Sequence, residues 1–202
     1  YLQQGKTSVK DFFDDLVIKA QDANHEINAI VDFRIQYILE QAQLLDQKKQ
    51  DGNYIGKLFG VPIGISDNIS TFDFYTELGS KIYKGQQLDK DSTVVQRLRS
   101  ENAIIFGKTC LTEFSDCLPT TTCNPHDKTT SPGGSASGAA ASVAAGIVPL
   151  SVASQTNGSI IRSASYCGVY GYKPTNNIIP NTGLFIKSNT FDTIGFFSRS
   201  IE

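Results

Sequence analysis

Serine and glycine dominate residues 131–138, which read Ser-Pro-Gly-Gly-Ser-Ala-Ser-Gly and precede an alanine-rich stretch. Small residues before a helix N-terminus present free N–H groups and hydroxyls, which can hold an anion or a reacting oxygen atom. The same composition also suits a flexible loop that leads into a tightly packed helix. Composition alone therefore makes this segment a candidate site without deciding between the two interpretations.

A second candidate is the run Ser-Gln-Thr-Asn-Gly-Ser-Ile-Ile-Arg at residues 154–162. It follows a predicted strand, and ligands of open α/β sheets bind at the C-terminal ends of strands. Successive N–H groups around Asn157, Gly158 and Ser159 can form a nest for an oxyanion beside the Ser159 hydroxyl. The alternative is an ordinary strand-to-helix turn with an N-cap serine.

Two other catalytic patterns are excluded. The tripeptide Gly107-Lys108-Thr109 resembles the end of a P-loop, but Asn102 stands where a P-loop needs its first glycine. Neither Ser135 nor Ser159 lies in a G-x-S-x-G sequence, so the nucleophile elbow of α/β-hydrolases is unsupported.

Composition excludes further function classes. The 202 residues include 18 basic and 20 acidic side chains, so the chain has no electrostatic footprint for nucleic acid or an anionic membrane. The only histidines, His25 and His126, lie far apart, which argues against a His-rich metal site. We expect neither a metal nor a cofactor. His126 could touch a substrate, although a loop histidine is more often solvated.

The four cysteines form no C-x-x-C pair and predict free, mostly buried thiols, of which Cys123 and Cys167 are interpreted as packing residues rather than nucleophiles. They are Cys110, Cys117, Cys123 and Cys167.

Hydrophobic spacing predicts the elements that position these segments. Helices are expected over 8–23, 34–49 and 139–145. Ser8 is the expected cap of the first of these, and Asp91-Ser92 is expected to cap one more helix, which follows it directly. Strands are expected at 27–33, 58–65, 103–106 and 147–153. Strands alternating with helices indicate an α/β layered fold with a largely parallel or mixed sheet.

Taken together, the segments resemble the amidase signature family over nearly the whole chain. The matching runs are Gly60–Asn68, Gly107–Thr109 with Glu113-Phe114, Asn124-Pro125 with Pro132–Ser135, Thr156–Ser159, Cys167–Val169 with Gly171–Thr175, and Asp192–Gly195 with Arg199.

This resemblance implies a layered α/β/α fold around a mixed sheet and hydrolysis of carboxylic amides by a Ser–cis-Ser–Lys triad. The nucleophile maps to Ser159, and the bridging serine, which follows a cis peptide bond after glycine, maps to Ser135. The oxyanion hole maps to the N–H groups of Thr156, Asn157, Gly158 and Ser159.

One departure matters most, because Ser66 occupies the position of the family's catalytic lysine. A hydroxyl is no base near neutral pH, and Lys57 and Lys108 each have their own place in the motif. Loss of a general base costs about 10²–10⁴-fold in rate, and loss of a member of a tightly coupled triad can cost about 10⁶-fold. The sequence therefore predicts an impaired amidase, through either a deliberate substitution or natural decay.

Two alternatives remain open. One is a catalytically inactive scaffold or binding subunit. The other is the amidase subunit of a tRNA-dependent amidotransferase, which resembles the same motifs. That subunit usually has the run D-T-G-G-S-I-R. In this chain Gln155 replaces the Asp of that run, and Arg162 lies one residue later than its Arg.

The resemblance also predicts organisation and partners. We expect residues 1–202 to be the N-terminal portion of one amidase-like domain, with a helical segment at about 1–50 and a catalytic core at about 58–202. Expected partners are a small-molecule amide, the remaining C-terminal half of the domain and a possible second copy, without nucleic acid or membrane, in the cytoplasm. A half-sheet exposes an edge and an apolar face, so we expect this chain alone to be poorly soluble.

Overall fold

The computed structural model describes residues 2–201, and these residues contain one six-stranded sheet in the spatial order β1-β3-β2-β4-β6-β5. The strands are β1 (Ile30–Asp32), β2 (Pro62–Ser66), β3 (Ile104–Thr109), β4 (Leu150–Gln155), β5 (Tyr170–Tyr172) and β6 (Thr193–Ser198). The helices are α1 (Val9–Ile27), α2 (Ile35–Gln50), α3 (Thr93–Ser100), α4 (Ser137–Ala144) and α5 (Ser159–Cys167), with short 3₁₀ turns at Lys81–Tyr83 and Glu113–Ser115.

The sheet is mixed, as the alternation of strands and helices predicted. Strand β2 runs parallel to both β3 and β4 at its centre. Strand β1 pairs antiparallel with β3, and β6 pairs antiparallel with both β4 and β5. Parallel strands need long crossovers. Helix α3 lies in the connection from β2 to its neighbour β3, and α4 lies in the connection from β3 to β4, on the other side of β2.

Two apolar clusters lie on the two faces of this sheet, because successive strand side chains point in opposite directions. One cluster joins α1, α2, α4 and α5 to the sheet, and the other joins α3 and the loop after β2. The first includes Phe13, Ile38, Phe106, Ala140, Ala153 and Ile160; the second includes Ile63, Ile65, Phe74, Val95, Ile105 and Val152.

Several element boundaries differ from those predicted. Helix α1 continues to Ile27 and ends only where Asn28 adopts a left-handed conformation, with φ of 52°. Strand β3 continues through Gly107 to Thr109, because these residues still pair with β2. Strand β4 begins at Leu150 rather than 147, since the Ile147 N–H bonds back to the Ser142 carbonyl at the end of α4.

The sequence patterns did not predict strands β5 and β6. The sequence of β6, Thr-Ile-Gly-Phe-Phe-Ser, does not alternate cleanly between polar and apolar residues. Its place between β4 and β5 buries most of it on both faces, so tertiary pairing rather than periodicity defines it.

Helix α4 lies in the core, as its small residues predicted. A Cβ on Gly138 would lie 2.1 Å from the Ala29 carbonyl oxygen and 2.4 Å from the Cys110 nitrogen. The Gly138 N–H instead donates to the Cys110 carbonyl oxygen at 2.8 Å. Only glycine permits this approach of α4 to the segments that follow α1 and β3.

Strand β5 forms one edge of the sheet, and Tyr170 and Tyr172 on it are exposed. The side chains of Ile161 and Tyr166 on α5 are exposed as well. These side chains form an exposed apolar surface beside this edge, and the low solubility of the chain stays a prediction. Within the same residues, no helix combines the length and apolar character needed to cross a bilayer.

Candidate functional site

The two candidate serines, 24 positions apart in sequence, are in contact. The Oγ atoms of Ser135 and Ser159 lie 2.9 Å apart, and both residues are buried. At this distance either hydroxyl can donate a hydrogen bond to the other. The peptide bond between Gly134 and Ser135 is cis.

The turn from β4 into α5 places Ser159 at the first position of the helix. Gly158 immediately before it has φ of 105°, a backbone conformation that favours glycine. Within residues 2–201, the N–H groups of Asn157, Gly158 and Ser159 have no hydrogen-bond acceptor. Three donors are therefore free beside the Ser159 hydroxyl, at the positive end of a helix.

Gln155 holds the N-terminus of α5 through its side chain. Its Oε1 atom accepts hydrogen bonds from the N–H groups of Ile160 at 2.9 Å and Ile161 at 3.1 Å. The neutral amide oxygen of Gln155 thus caps the helix. The Arg162 guanidinium group donates instead to the Asn157 carbonyl oxygen, at 3.0 Å. The N-cap residue is Gly158, so an N-cap role for Ser159 is wrong and its hydroxyl stays available.

Ser135 is held by the backbone on both sides. Its carbonyl oxygen accepts from the Thr112 N–H at 3.1 Å. The Ser137 hydroxyl, at the start of α4, donates to the Gly133 carbonyl oxygen at 2.8 Å. These bonds make residues 133–137 a defined loop rather than a flexible leader into the helix.

A small cavity of about 80 Å³ adjoins the two serines. Three of its lining residues, Asp116, Cys117 and Arg162, also line a neighbouring cavity of about 490 Å³. The small cavity is lined by Ser115, Asp116, Cys117, Ser135, Thr156, Asn157, Ser159, Arg162 and Lys187.

Ser66 lies at the end of β2, buried, and is not part of that cavity wall. Its strand register pairs it with Thr109 and pairs Ile65 with Lys108. Ile65 belongs to the cluster on the α3 side of the sheet, so Ser66 faces the side of α4 and α5, where the two serines lie.

Lys108 lies on the opposite face of the sheet from Ser66, so it does not substitute for the lysine that the resemblance implies at position 66. Its ammonium group donates to the Ile69 carbonyl oxygen at 2.6 Å and to Thr76 Oγ1 at 2.8 Å. Complete burial lowers the pKa of Lys108 to about 8, and the nearby Asp67 carboxylate opposes that change. Burial also raises the pKa of Asp67, whose oxygens accept from the N–H groups of Glu77 and Gly79.

Sequence reasoning missed Lys187, which lines the same cavity as the two serines. Its ammonium group lies 3.4 Å from Asp116 Oδ1 and 3.4 Å from the Ser115 carbonyl oxygen. The nearest signal in the sequence was Asp192, which lies in a matched motif and whose carboxylate accepts from the Lys187 backbone N–H. No spacing pattern pointed to Lys187 itself.

The structure does not bring His126 or the buried cysteines to the serines. The His126 ring nitrogen Nε2 lies 2.9 Å from the Cys167 carbonyl oxygen. Burial raises the pKa of the Cys167 thiol to about 12, which suits packing rather than nucleophilic chemistry. Within the described part of the chain, no three His, Cys, Asp or Glu side chains are grouped so as to hold a metal ion.

Comparison with known proteins gives consistent matches. A family model described as Amidase matches residues 13–202. A glutamyl-tRNA(Gln) amidotransferase subunit of Staphylococcus haemolyticus (strain JCSC1435) is 39% identical over 200 residues, which cover 96% of this chain and 40% of that protein. The protein of the same name from Chlamydia pneumoniae is 36% identical over 190 residues, covering 91% of this chain and 39% of that protein.

Solved structures match closely in fold. The peptide amidase from Stenotrophomonas maltophilia has a TM-score of 0.93 and 29% identity, covering 98% of this chain and 43% of that chain. A 6-aminohexanoate cyclic dimer hydrolase, solved with its substrate, has a TM-score of 0.89 and 27% identity, covering 98% of this chain and 42% of that chain. The chain thus spans about two fifths of the length of the relatives that it matches.

Proposed function

Because the chain belongs to the amidase family, we propose that it carries the nucleophile of an enzyme that hydrolyses the C–N bond of a carboxylic amide. The observation that carries this proposal is the 2.9 Å contact between Ser135 and Ser159 beside three unpaired N–H groups of the described chain. A reactive oxygen and a preformed site for negative charge are the two features that acyl transfer requires.

In this proposal the Ser159 oxygen attacks the amide carbonyl carbon and gives its proton to the Ser135 oxygen. Ser135 in turn releases its own hydroxyl proton to a final acceptor, which is solvent water where position 66 carries no lysine. The carbonyl oxygen becomes negatively charged, and the N–H groups of Thr156, Asn157, Gly158 and Ser159 stabilise it. Collapse of the intermediate expels the amine, which takes a proton returned through Ser135. Water then hydrolyses the acyl ester on Ser159 and releases the carboxylate.

Ser66 explains why this chain is expected to be a weak catalyst. The proton that reaches Ser135 needs a final acceptor, and a hydroxyl at position 66 does not provide one near neutral pH. The buried lysine on the adjacent strand, Lys108, points to the other face of the sheet and bonds to Ile69 and Thr76. A catalytically inactive scaffold therefore remains the alternative that an assay must exclude.

A second candidate function is the amidase subunit of a tRNA-dependent amidotransferase. The relatives of that name, with 39% and 36% identity, favour it. In that case the partners would be other subunits, and the amide would be the ammonia donor. We also propose a cytoplasmic location, assembly of residues 1–202 with the rest of an amidase-like domain, and a possible homodimer.

The test is to restore the missing base. Ser66→Lys is compared with Ser66→Met, which has a similar length but no amine, in the full chain together with the remaining part of its domain. Each variant is assayed for ammonia release from a panel of amides, including glutamine. We expect Ser66→Lys to exceed Ser66→Met by about 10²–10⁴-fold, the usual contribution of a general base.

Adding Ser159→Ala to the Ser66→Lys variant must abolish the restored activity. If Ser66→Lys folds, as judged by its melting curve, and is no faster than Ser66→Met on any amide, the hydrolase proposal is wrong and the scaffold is favoured. Ammonia release from glutamine that appears only with added subunits identifies the amidotransferase.

A further inference from the structure

The cavity beside the two serines carries an excess of positive charge. Among the described residues that line it, Lys187 and Arg162 are cationic and Asp116 is the single carboxylate. Lys187 comes from the loop before β6 and Arg162 from α5, so two separate elements bring their charges to one place. Neither residue has a part in the proposed proton transfer.

Lys187 is positioned by a buried carboxylate. Asp192 Oδ2 accepts hydrogen bonds from the backbone N–H groups of Lys187 at 2.6 Å and Ser188 at 2.9 Å. Asp192 Oδ1 accepts from the Thr156 hydroxyl at 2.5 Å. One carboxylate thereby ties the loop of Lys187 to the turn that carries Ser159, and this tie holds the lysine near the nucleophile.

The ion pair between Lys187 and Asp116 leaves the lysine available. Lys187 Nζ and Asp116 Oδ1 are 3.4 Å apart, and the side chain of Lys187 is 39% exposed and that of Asp116 66% exposed. Ion pairs this exposed are weak because solvent screens them, so a carboxylate that enters the cavity can compete with Asp116 for Lys187.

Arg162 is the second available cation. Its guanidinium group donates to the Asn157 carbonyl oxygen, and within residues 2–201 it forms no ion pair. Most of its five N–H donors therefore remain for a ligand.

We propose that Lys187, with Arg162, binds a carboxylate of the substrate close to the scissile bond, which makes Lys187 a specificity-determining residue. This inference rests on the proposed amide hydrolysis. Lys187 and Arg162 line the same cavity of about 80 Å³ as Ser135 and Ser159. The substrate class is thus an amide whose carboxylate lies only a few bonds from the reacting carbonyl.

Binding rather than turnover provides the test, so that the missing base at position 66 does not interfere. Calorimetry on the full chain compares succinamate, an amide with a carboxylate two methylenes away, with 4-oxopentanamide, its neutral analogue of similar shape. A hydrogen bond to a charged group is stronger than one between neutral groups, so we expect succinamate to bind about tenfold more tightly.

Four variants assign this preference. Lys187→Met is expected to remove it, and Lys187→Arg, which keeps the charge, to retain it. Lys19→Met is the matched control, because it removes one exposed lysine charge from α1, away from the cavity. Asp116→Asn removes the competing carboxylate and is expected to strengthen succinamate binding about threefold.

Equal affinity for the two amides, no binding of succinamate, or an undiminished preference in Lys187→Met overturns the inference. These results are separable from the fate of the proposed function. If the Ser66→Lys variant hydrolyses no amide but the Lys187-dependent preference is present, the carboxylate site stands and the hydrolase fails. If Ser66→Lys hydrolyses both amides equally well and Lys187→Met leaves their affinities unchanged, the proposed hydrolase stands and the carboxylate site is wrong.

Discussion

Lys108 is expected to make the stability of this protein increase with pH in the alkaline range. Its side chain is wholly buried in β3, and burial lowers its pKa from the ordinary 10.5 to about 8. Between these two values the unfolded chain binds a proton that the folded chain lacks. The free energy of unfolding therefore rises with pH across this window, and the gain is lost as pH falls through 8.

The size of the effect follows from the difference between the two pKa values. At about 1.4 kcal/mol per pH unit, a pKa of about 8 against 10.5 gives a rise of about 2.5 kcal/mol between pH 7 and pH 10. The Asp67 carboxylate favours the charged ammonium group, so it reduces this rise rather than causing it.

The assay is urea unfolding at pH 7, 8, 9 and 10 of the unmodified chain and of Lys108→Met. Other groups that titrate at high pH, such as Tyr37, whose pKa burial raises, are present in both proteins and cancel in the difference. We expect the unmodified chain to gain about 2.5 kcal/mol relative to Lys108→Met over this range. Lys19→Met controls for the change in net charge.

Parallel pH profiles for the unmodified chain and Lys108→Met would refute this reasoning. That result would mean that Lys108 binds its proton equally in the folded and unfolded chain. A relative loss of stability with rising pH would refute it more strongly, because it would require a folded-state pKa above the ordinary value.

Two further predictions concern packing and thiol reactivity. Gly138→Ala places a Cβ 2.1 Å from the Ala29 carbonyl oxygen, so chemical denaturation should show that the free energy of unfolding falls by about 3 kcal/mol. Gly52→Ala is the control, because its Cβ meets nothing within 4 Å; its positive φ alone should cost about 1 kcal/mol. Equal losses in the two variants would contradict the clash. At pH 8 a thiol reagent should label the exposed Cys117 in the native chain and Cys167 only after unfolding. The reason is that a pKa of about 12 leaves only about 10⁻⁴ of the Cys167 thiol ionised at this pH. Peptide mapping that finds Cys167 labelled in the folded protein would contradict this prediction.

Local sequence signals located most of the elements that hold the candidate site. The spacing around Ser8 and Ser92 predicts helix caps, and their hydroxyls accept from the N–H groups of Asp11 and Val95. The small residues of α4 predicted a buried helix, because close packing requires them. In contrast, β6 escaped prediction, since its burial between two other strands erases the alternation that marks a strand.

The residues of the candidate site were likewise only partly predictable from the sequence. The sequence by itself determined which residues are present: the hydroxyls of Ser135 and Ser159, the glycine before Ser159, and a serine at position 66, where the resemblance implies a lysine. Residue types and local spacing are enough for this, because each motif lies within a few consecutive residues.

Only the tertiary structure decided which of these groups meet. The contact between Ser135 and Ser159 joins α5 to the loop before α4, and Lys187 reaches the same cavity because Asp192 ties its loop to Thr156. The strand register also decided that Lys108 faces away from the two serines. Lys108 pairs with Ile65, the residue before Ser66, and therefore points to the opposite face of the sheet from Ser66. Such relations depend on how distant segments pack, and one-dimensional spacing does not encode the distance between them.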